Sequence, residues 1–253
     1  MRLPFAATSA LLLVALTGCQ RPIGQPAVQP QYYVVTAAIE PDSTDISASR
    51  VADLIAPYSV QLEDAMNRVV AEVALPLVKA QPESPLGNWT ADLLLAAARD
   101  LFPDYEVAFA VQNYGGLRIS EIGPGPLRVY NLYELMPFDN ELVLVEVTGS
   151  ELTEFVSHIL AEGGWPVSEG LAATRRGTTV EIMVGGQPVV DDRIYYLAVP
   201  DYVANGGNDS EMLTEKRQIP SGRMIRDLLI DYAAKANGPI SVKSNGSRIK
   251  ILD

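Results

Sequence analysis

The stretch Val107-Ala108-Phe109-Ala110-Val111-Gln112-Asn113-Tyr114-Gly115-Gly116-Leu117-Arg118 changes character halfway along. Val107, Phe109 and Val111 alternate with the period of a strand. The strand delivers the chain into a polar turn. There the paired Gly115 and Gly116 allow close approach of the backbone, and Asn113 and Arg118 offer hydrogen bonds and charge.

Working outward, Leu142 to Val147 is apolar on both faces, as a central strand is. Thr148 and Glu151 fit a capping box for a helix whose Leu152, Phe155, Val156, Ile159 and Leu160 form one apolar stripe, and Gly163-Gly164 ends it. Thr178 to Val184, the Gly185-Gly186 turn and Arg193 to Val199 read as a β-hairpin and its return strand. A last helix opens at Ser221, carries Met224, Ile225, Leu228, Leu229 and Tyr232, and closes at Asn237-Gly238-Pro239. On the N-terminal side, helical spacing predicts one helix from Val51 to Val70 and another from Trp89 to Leu101, stopped before Pro103. Strands and helices mix without a regular βαβ rhythm. The expected class is therefore α+β, with mixed sheets flanked by helices rather than a doubly wound sheet.

Composition excludes several chemistries. A net charge of −12 argues against a nucleic acid polymer as partner, because affinity for its phosphates comes from clustered lysine and arginine. A two-metal phosphatase centre needs several histidines and carboxylates, and these 253 residues hold one histidine. That residue, His158, is offset from the apolar stripe of its helix and reads as a surface residue. A Ser-His-Asp or Cys-His nucleophile would also have to use it, and no Gly-x-Ser-x-Gly elbow is present. Neither a dinucleotide fingerprint nor a P-loop occurs.

Three segments combine polar groups and aromatics at strand ends. The first is Asn113 to Arg118, whose plain alternative is a turn with a structural Asn and a solvated Arg. The second, Glu134-Leu135-Met136-Pro137-Phe138-Asp139-Asn140-Glu141-Leu142-Val143, places Phe138 between a proline and a polar turn, where a core phenylalanine is the plain alternative. The third, Asp201-Tyr202-Val203-Ala204-Asn205-Gly206-Gly207-Asn208-Asp209, follows the strand ending at Val199 and could be an ordinary glycine turn.

Together and in this order, the three segments resemble the 5′-nucleotidase C-terminal domain family. Its pattern reads Asn-x-Gly-Gly-[hydrophobic]-Arg, then Pro-Phe-x-Asn, then [Tyr/Phe]-x-Ala-x-Gly-Gly-Asp. Pro82-Glu83-Ser84-Pro85-Leu86-Gly87-Asn88 is similar to the family's Glu-Ser-x-Leu-Gly-Asn, and Val147 to Leu152 to its strand-to-helix join. The resemblance covers about Ile55 to beyond Leu213. It implies that Phe138 and Tyr202 stack on either side of a nucleobase, each face supplying roughly 1–3 kcal/mol. It further implies that Asn113 contacts the base, that Arg118 lies near ribose and phosphate, and that the Gly115-Gly116 backbone borders the ligand. Asn208 stands where the family has the aspartate that grips the ribose hydroxyls, and the acid is displaced to Asp209. Pro82 replaces an arginine that many relatives use for phosphate.

At the N-terminus, Arg2, the apolar Leu11 to Leu16 and Leu16-Thr17-Gly18-Cys19 read as a signal peptide over 1–18 ending in a stretch that resembles a bacterial lipobox. Cys19, the one cysteine, is then the lipidation site, the plain alternative being a free thiol. Residues 19–45, with Pro22, Pro26, Pro30 and Pro41, form a tether too poor in apolar side chains to fold. Residues 46–253 form the domain. By resemblance to Gram-negative lipoproteins, Gln20 rather than aspartate after the cysteine implies sorting to the outer membrane, facing the periplasm. The resulting expectation is a lipoprotein that holds a nucleoside or 5′-nucleotide for a separate metallophosphatase chain. This chain would then carry no cofactor of its own, and the divalent metals would sit on the partner. The alternative is a non-catalytic nucleoside-binding or scaffold lipoprotein of the cell envelope.

Overall fold

The computed structural model describes residues 46–252; the expected signal peptide, Cys19 and tether lie outside them. In chain order the elements are α1 (Ile46–Asn67), β1 (Val69–Val73), β2 (Leu77–Val78), α2 (Pro85–Leu101), β3 (Val107–Ala110), β4 (Glu121–Ile122), β5 (Gly125–Arg128), α3 (Val129–Leu135) and β6 (Glu141–Thr148). They continue with α4 (Gly149–Ala161), β7 (Leu171–Arg176), β8 (Thr179–Val184), β9 (Gln187–Pro188), β10 (Ile194–Pro200), α5 (Asp201–Ala204), β11 (Gln218–Met224), α6 (Ile225–Ala233) and β12 (Ile249–Leu252). Contacts divide the chain within α1, and residues from Leu54 onward form one compact unit. Among the described residues, no helix is long and apolar enough to cross a membrane.

The architecture is α+β. Its middle is a four-stranded sheet in the order β11-β6-β10-β3, in which β10 runs antiparallel to β6 and parallel to β3. β6 explains why this sheet is central. Its Leu142 and Leu144 enter a core with Leu94, Leu132 and Leu229 from the helices on one face. Val143, Val145 and Val147 enter a second core with Phe155, Ile159 and Leu171 on the other. Each fully buried side chain of this kind contributes about 1.5–3 kcal/mol, so a strand apolar on both faces is stable only between two cores. A second four-stranded sheet, β12-β7-β8-β9, backs onto α4, and short ribbons β1-β5 and β2-β4 complete the molecule.

The capping box of α4 forms as expected, with Thr148 Oγ1 accepting from Glu151 N and Glu151 Oε2 accepting from Thr148 N. Gly163 and Gly164 end that helix with positive φ. Four expectations are corrected. Val69 and Val70 belong to β1, because Arg128 takes the Asn67 carbonyl at 2.6 Å and the β-branched run pairs with β5. The helix expected from Trp89 begins at Pro85, with Ser84 as its N-cap accepting from Gly87 N. Ser221 to Met224 are strand, since Pro220 and the positive φ of Gly222 are not helical, and α6 starts only at Ile225.

The fourth correction concerns the hairpin. Residues Thr179–Val184 pair across the Gly177 turn with Leu171–Arg176, a strand the sequence reading omitted. Residues 194–200 lie instead in the central sheet between β6 and β3.

Glu83 shows what the Glu-Ser motif does for the fold. Its carboxylate accepts from Asn88 Nδ2 at 3.0 Å and from the backbone N–H groups of Gly246 at 3.3 Å, Arg248 at 2.8 Å and Ile249 at 3.3 Å. It thereby ties the start of α2 to β12. Beside it, the Arg248 guanidinium meets both oxygens of Asp92 at 2.7 and 2.8 Å.

Candidate functional site

The register of the central sheet brings the three polar segments together. β3 and β10 are parallel, with Ala198 opposite Ala110, so both chains leave the sheet at the same end. β6 is antiparallel to β10 with Leu142 opposite Pro200, so the residues entering β6 stand beside those leaving β10. The Asn113–Arg118 turn, the Phe138–Asn140 approach and the Tyr202–Asn208 segment therefore meet. They enclose an open cavity of about 280 Å³ lined by Asn113, Gly115, Gly116, Arg118, Phe138, Asn140, Tyr202 and Asn208.

The two rings at its mouth are not core residues. Phe138 is 39 % and Tyr202 48 % exposed, whereas Phe109 and Phe155 are fully buried. Arg226, which the sequence reading passed over, fixes the Phe138 backbone. It donates to the Phe138 carbonyl at 3.3 Å and to Asp139 Oδ1 at 2.8 Å, and stacks 4.3 Å from the Tyr133 ring. Tyr202 sits over Gly207, whose N–H donates to the Tyr202 carbonyl at 2.8 Å. A Cβ on Gly207 would stand 2.5 Å from two Tyr202 ring atoms, so only glycine seats the ring there.

A chain of amides reaches the same cavity. Gln112 Nε2 donates to Asn113 Oδ1 at 2.8 Å, and Asn113 Nδ2 donates to Asn208 Oδ1 at 2.7 Å. Gly116 is required here as well, since a Cβ would collide with the Gln112 and Asn113 amides. Asn208 and Asp209 both adopt the left-handed conformation, with φ of 55° and 56°. Asn tolerates that region because its short polar side chain can hydrogen-bond locally. With its oxygen occupied by Asn113, Asn208 keeps its own N–H donors for a ligand.

His158 differs from the surface residue expected. It is half-buried, lies edge-on to Trp165 with centroids 5.5 Å apart, and places Nε2 2.8 Å from the Asn208 carbonyl. A carbonyl only accepts, so Nε2 carries the proton and the helix α4 braces the Asn208 turn. Arg118 donates to the Gly115 carbonyl at 3.2 Å and holds its guanidinium 5.6 Å from the Phe138 centroid.

Of the residues singled out from sequence, Asp209 is exposed and does not line the cavity; Asn113, Gly115, Gly116, Arg118, Phe138, Tyr202 and Asn208 do. Asn140 also lines it, within the quoted Pro-Phe-x-Asn stretch. Among the described residues no group of His, Cys, Asp and Glu is arranged to hold a metal ion. The site can present flat apolar faces, amide donors and a cation, which suits binding and orientation.

The family model "5′-nucleotidase, C-terminal domain" matches residues 69–215, which include every cavity residue. A Bacillus subtilis protein named endonuclease YhcR is 27% identical over 232 residues, covering 87% of this chain and 18% of that protein. The 5′-nucleotidase of Vibrio cholerae is 28% identical over 140 residues, covering 53% of this chain and 25% of that protein. The chain thus spans a quarter or less of the length of these relatives. The crystal structure of a 5′-nucleotidase precursor from Thermus thermophilus superposes with a TM-score of 0.69 at 26% identity, covering 81% of this chain and 43% of that one.

Proposed function

The chain belongs to the 5′-nucleotidase C-terminal domain family, and from that premise we propose that it holds the nucleoside part of a nucleotide for hydrolysis by a separate metallophosphatase chain. The observation that carries this reading is the pair of exposed rings, Phe138 and Tyr202, lining one cavity together with Asn113. Two aromatic faces left open to water lose apolar burial unless a flat ligand covers them. A nucleobase is such a ligand, with edge acceptors and donors for Asn113.

The role of this chain would be positioning, which lowers a barrier when the reacting groups are held in the right geometry. One histidine in 253 residues is too few for a two-metal centre, so the divalent metals would sit on the partner. The purified full-length chain should bind adenosine and AMP in calorimetric titration. It should also raise nucleotide hydrolysis when mixed with an exported metallophosphatase that lacks its own C-terminal domain. No heat with either ligand would sink the reading.

One observation favours a second reading, a nucleoside-binding lipoprotein without a catalytic partner. The position of the family's ribose-gripping acid is the neutral Asn208, already bonded to Asn113. Binding without any gain in hydrolysis on mixing would select it.

Both readings place the chain at the cell envelope, anchored through Cys19. Radiolabelled palmitate should be incorporated in a bacterial host and lost in Cys19→Ser; equal labelling of the two would remove the anchor from the proposal.

A further inference from the structure

His158 reaches the cavity only through another residue. It stands in the last turn of α4 and does not line the cavity. Its ring is fixed from the side. It meets the Trp165 ring edge-on, and Trp165, itself 3 % exposed, meets Phe155 in the same way with centroids 6.1 Å apart. Held so, Nε2 donates at 2.8 Å to the carbonyl of Asn208, 50 residues further along the chain.

That carbonyl belongs to an unfavourable stretch of backbone. Among the described residues, Asn208 and Asp209 are the two non-glycine residues with positive φ, and side chains persist in that region only where the surroundings hold them. Local bonds close the turn on either side, from Gly207 N to the Tyr202 carbonyl and from Ser210 N to the Gly206 carbonyl at 3.3 Å. For the Asn208 carbonyl itself, His158 is the one donor among the described residues. The conformation decides where the Asn208 amide goes. Asn208 lines the cavity with Phe138 and Tyr202, and with Oδ1 taken by Asn113 it presents N–H groups. The sugar oxygens of a nucleoside whose base is held by the two rings can accept them.

We propose that His158 is a positioning residue for sugar recognition: by holding the Asn208 carbonyl it keeps the Asn208 amide turned to the ribose of a bound nucleoside. This rests on the base-clamp reading above and adds a sugar contact that the rings alone do not supply. Imidazole suits the task because its flat ring packs against Trp165 while its far nitrogen reaches a backbone oxygen.

The test is calorimetric titration of the full-length chain and its variants with adenine and adenosine. Expected is adenosine bound roughly three- to tenfold more tightly than adenine by the unaltered chain, the worth of a neutral hydrogen bond. His158→Phe keeps a ring against Trp165, and His158→Asn keeps an amide that ends one atom short. Both should lose most of the adenosine advantage while binding adenine as before, which also shows that they are folded. His158→Gln, whose amide nitrogen stands as far out as Nε2, should keep the advantage. Asn208→Gly accepts the left-handed backbone without the amide and should lose it, and adding His158→Phe should then change nothing more. An undiminished advantage in His158→Phe and His158→Asn, its loss in His158→Gln, or a further loss in the double variant overturns the proposal. Equal weakening of adenine and adenosine in His158→Phe overturns it too, making the histidine a support of the whole turn. Equal binding of the two ligands by the unaltered chain removes the sugar contact, and the proposal with it, and leaves the ring clamp standing. An unaltered chain that binds neither ligand overturns the clamp itself.

Discussion

Tyr202→Ala is expected to bind adenosine roughly 10- to 100-fold more weakly than the unaltered chain, and Phe138→Ala to lose a similar amount, because one aromatic face on a base is worth about 1–3 kcal/mol. The fold should be almost indifferent to either change. Both rings are about half open to solvent, and surface truncations away from the core usually shift stability by no more than about 0.5 kcal/mol. Tyr202→Phe keeps the face and should keep the affinity, which separates stacking from any role of the hydroxyl. Calorimetric titration beside thermal melts reads both quantities. Unaltered adenosine affinity in both alanine variants would mean that the rings are not the clamp.

The second large effect lies outside the cavity lining. Glu83→Ala should destabilise the chain by about 3 kcal/mol, since it strands donors that now share one carboxylate. For a chain of this size that lowers Tm by roughly 6–12 °C. The pH dependence follows from direction. Burial pushes the Glu83 carboxyl up, but the hydrogen bonds from Asn88, Arg248, Ile249 and Gly246 outweigh it and hold the group below its ordinary value of 4.5. A depressed folded pKa gives stability that is present in full above the unfolded value and lost as pH falls through the folded one. The stability gap between the unaltered chain and Glu83→Gln should be constant near neutrality and close as pH falls below 4.5. A gap that does not change with acidification would show that the charge on Glu83 contributes nothing.

What could be read from sequence follows a physical divide. The central strand was legible because Leu142 to Val147 is apolar at every position but one, and only a strand between two cores tolerates that. The capping box at Thr148 and Glu151 was legible because it is local chemistry. Strand pairing was not, because periodicity names a strand and says nothing of its neighbour. Ile194–Pro200 therefore looked like the partner of the preceding hairpin, although parallel pairing with β3 claims it. The cavity residues stood in three segments whose turn chemistry is visible in sequence. Their convergence depends on register across β3, β10 and β6, which is a long-range property. The roles of His158 and Arg226 were missed for the same reason: each acts through a carbonyl or ring distant in sequence.

The closure of β12 against β7 has a kinetic side. Glu83 and Ile249 lie 166 residues apart, and their hydrogen bond forms only once nearly the whole described chain is available. During synthesis the Glu83 carboxylate has Asn88 as a nearby donor and waits for its other three, while the second sheet lacks its parallel edge strand. Pairings so distant along the chain are entropically late and slow to form. The nascent polypeptide should consequently stay protease-sensitive until residues 246–252 have been made, then gain protection in one late step. Its folding clock is set by contacts that span most of the described chain.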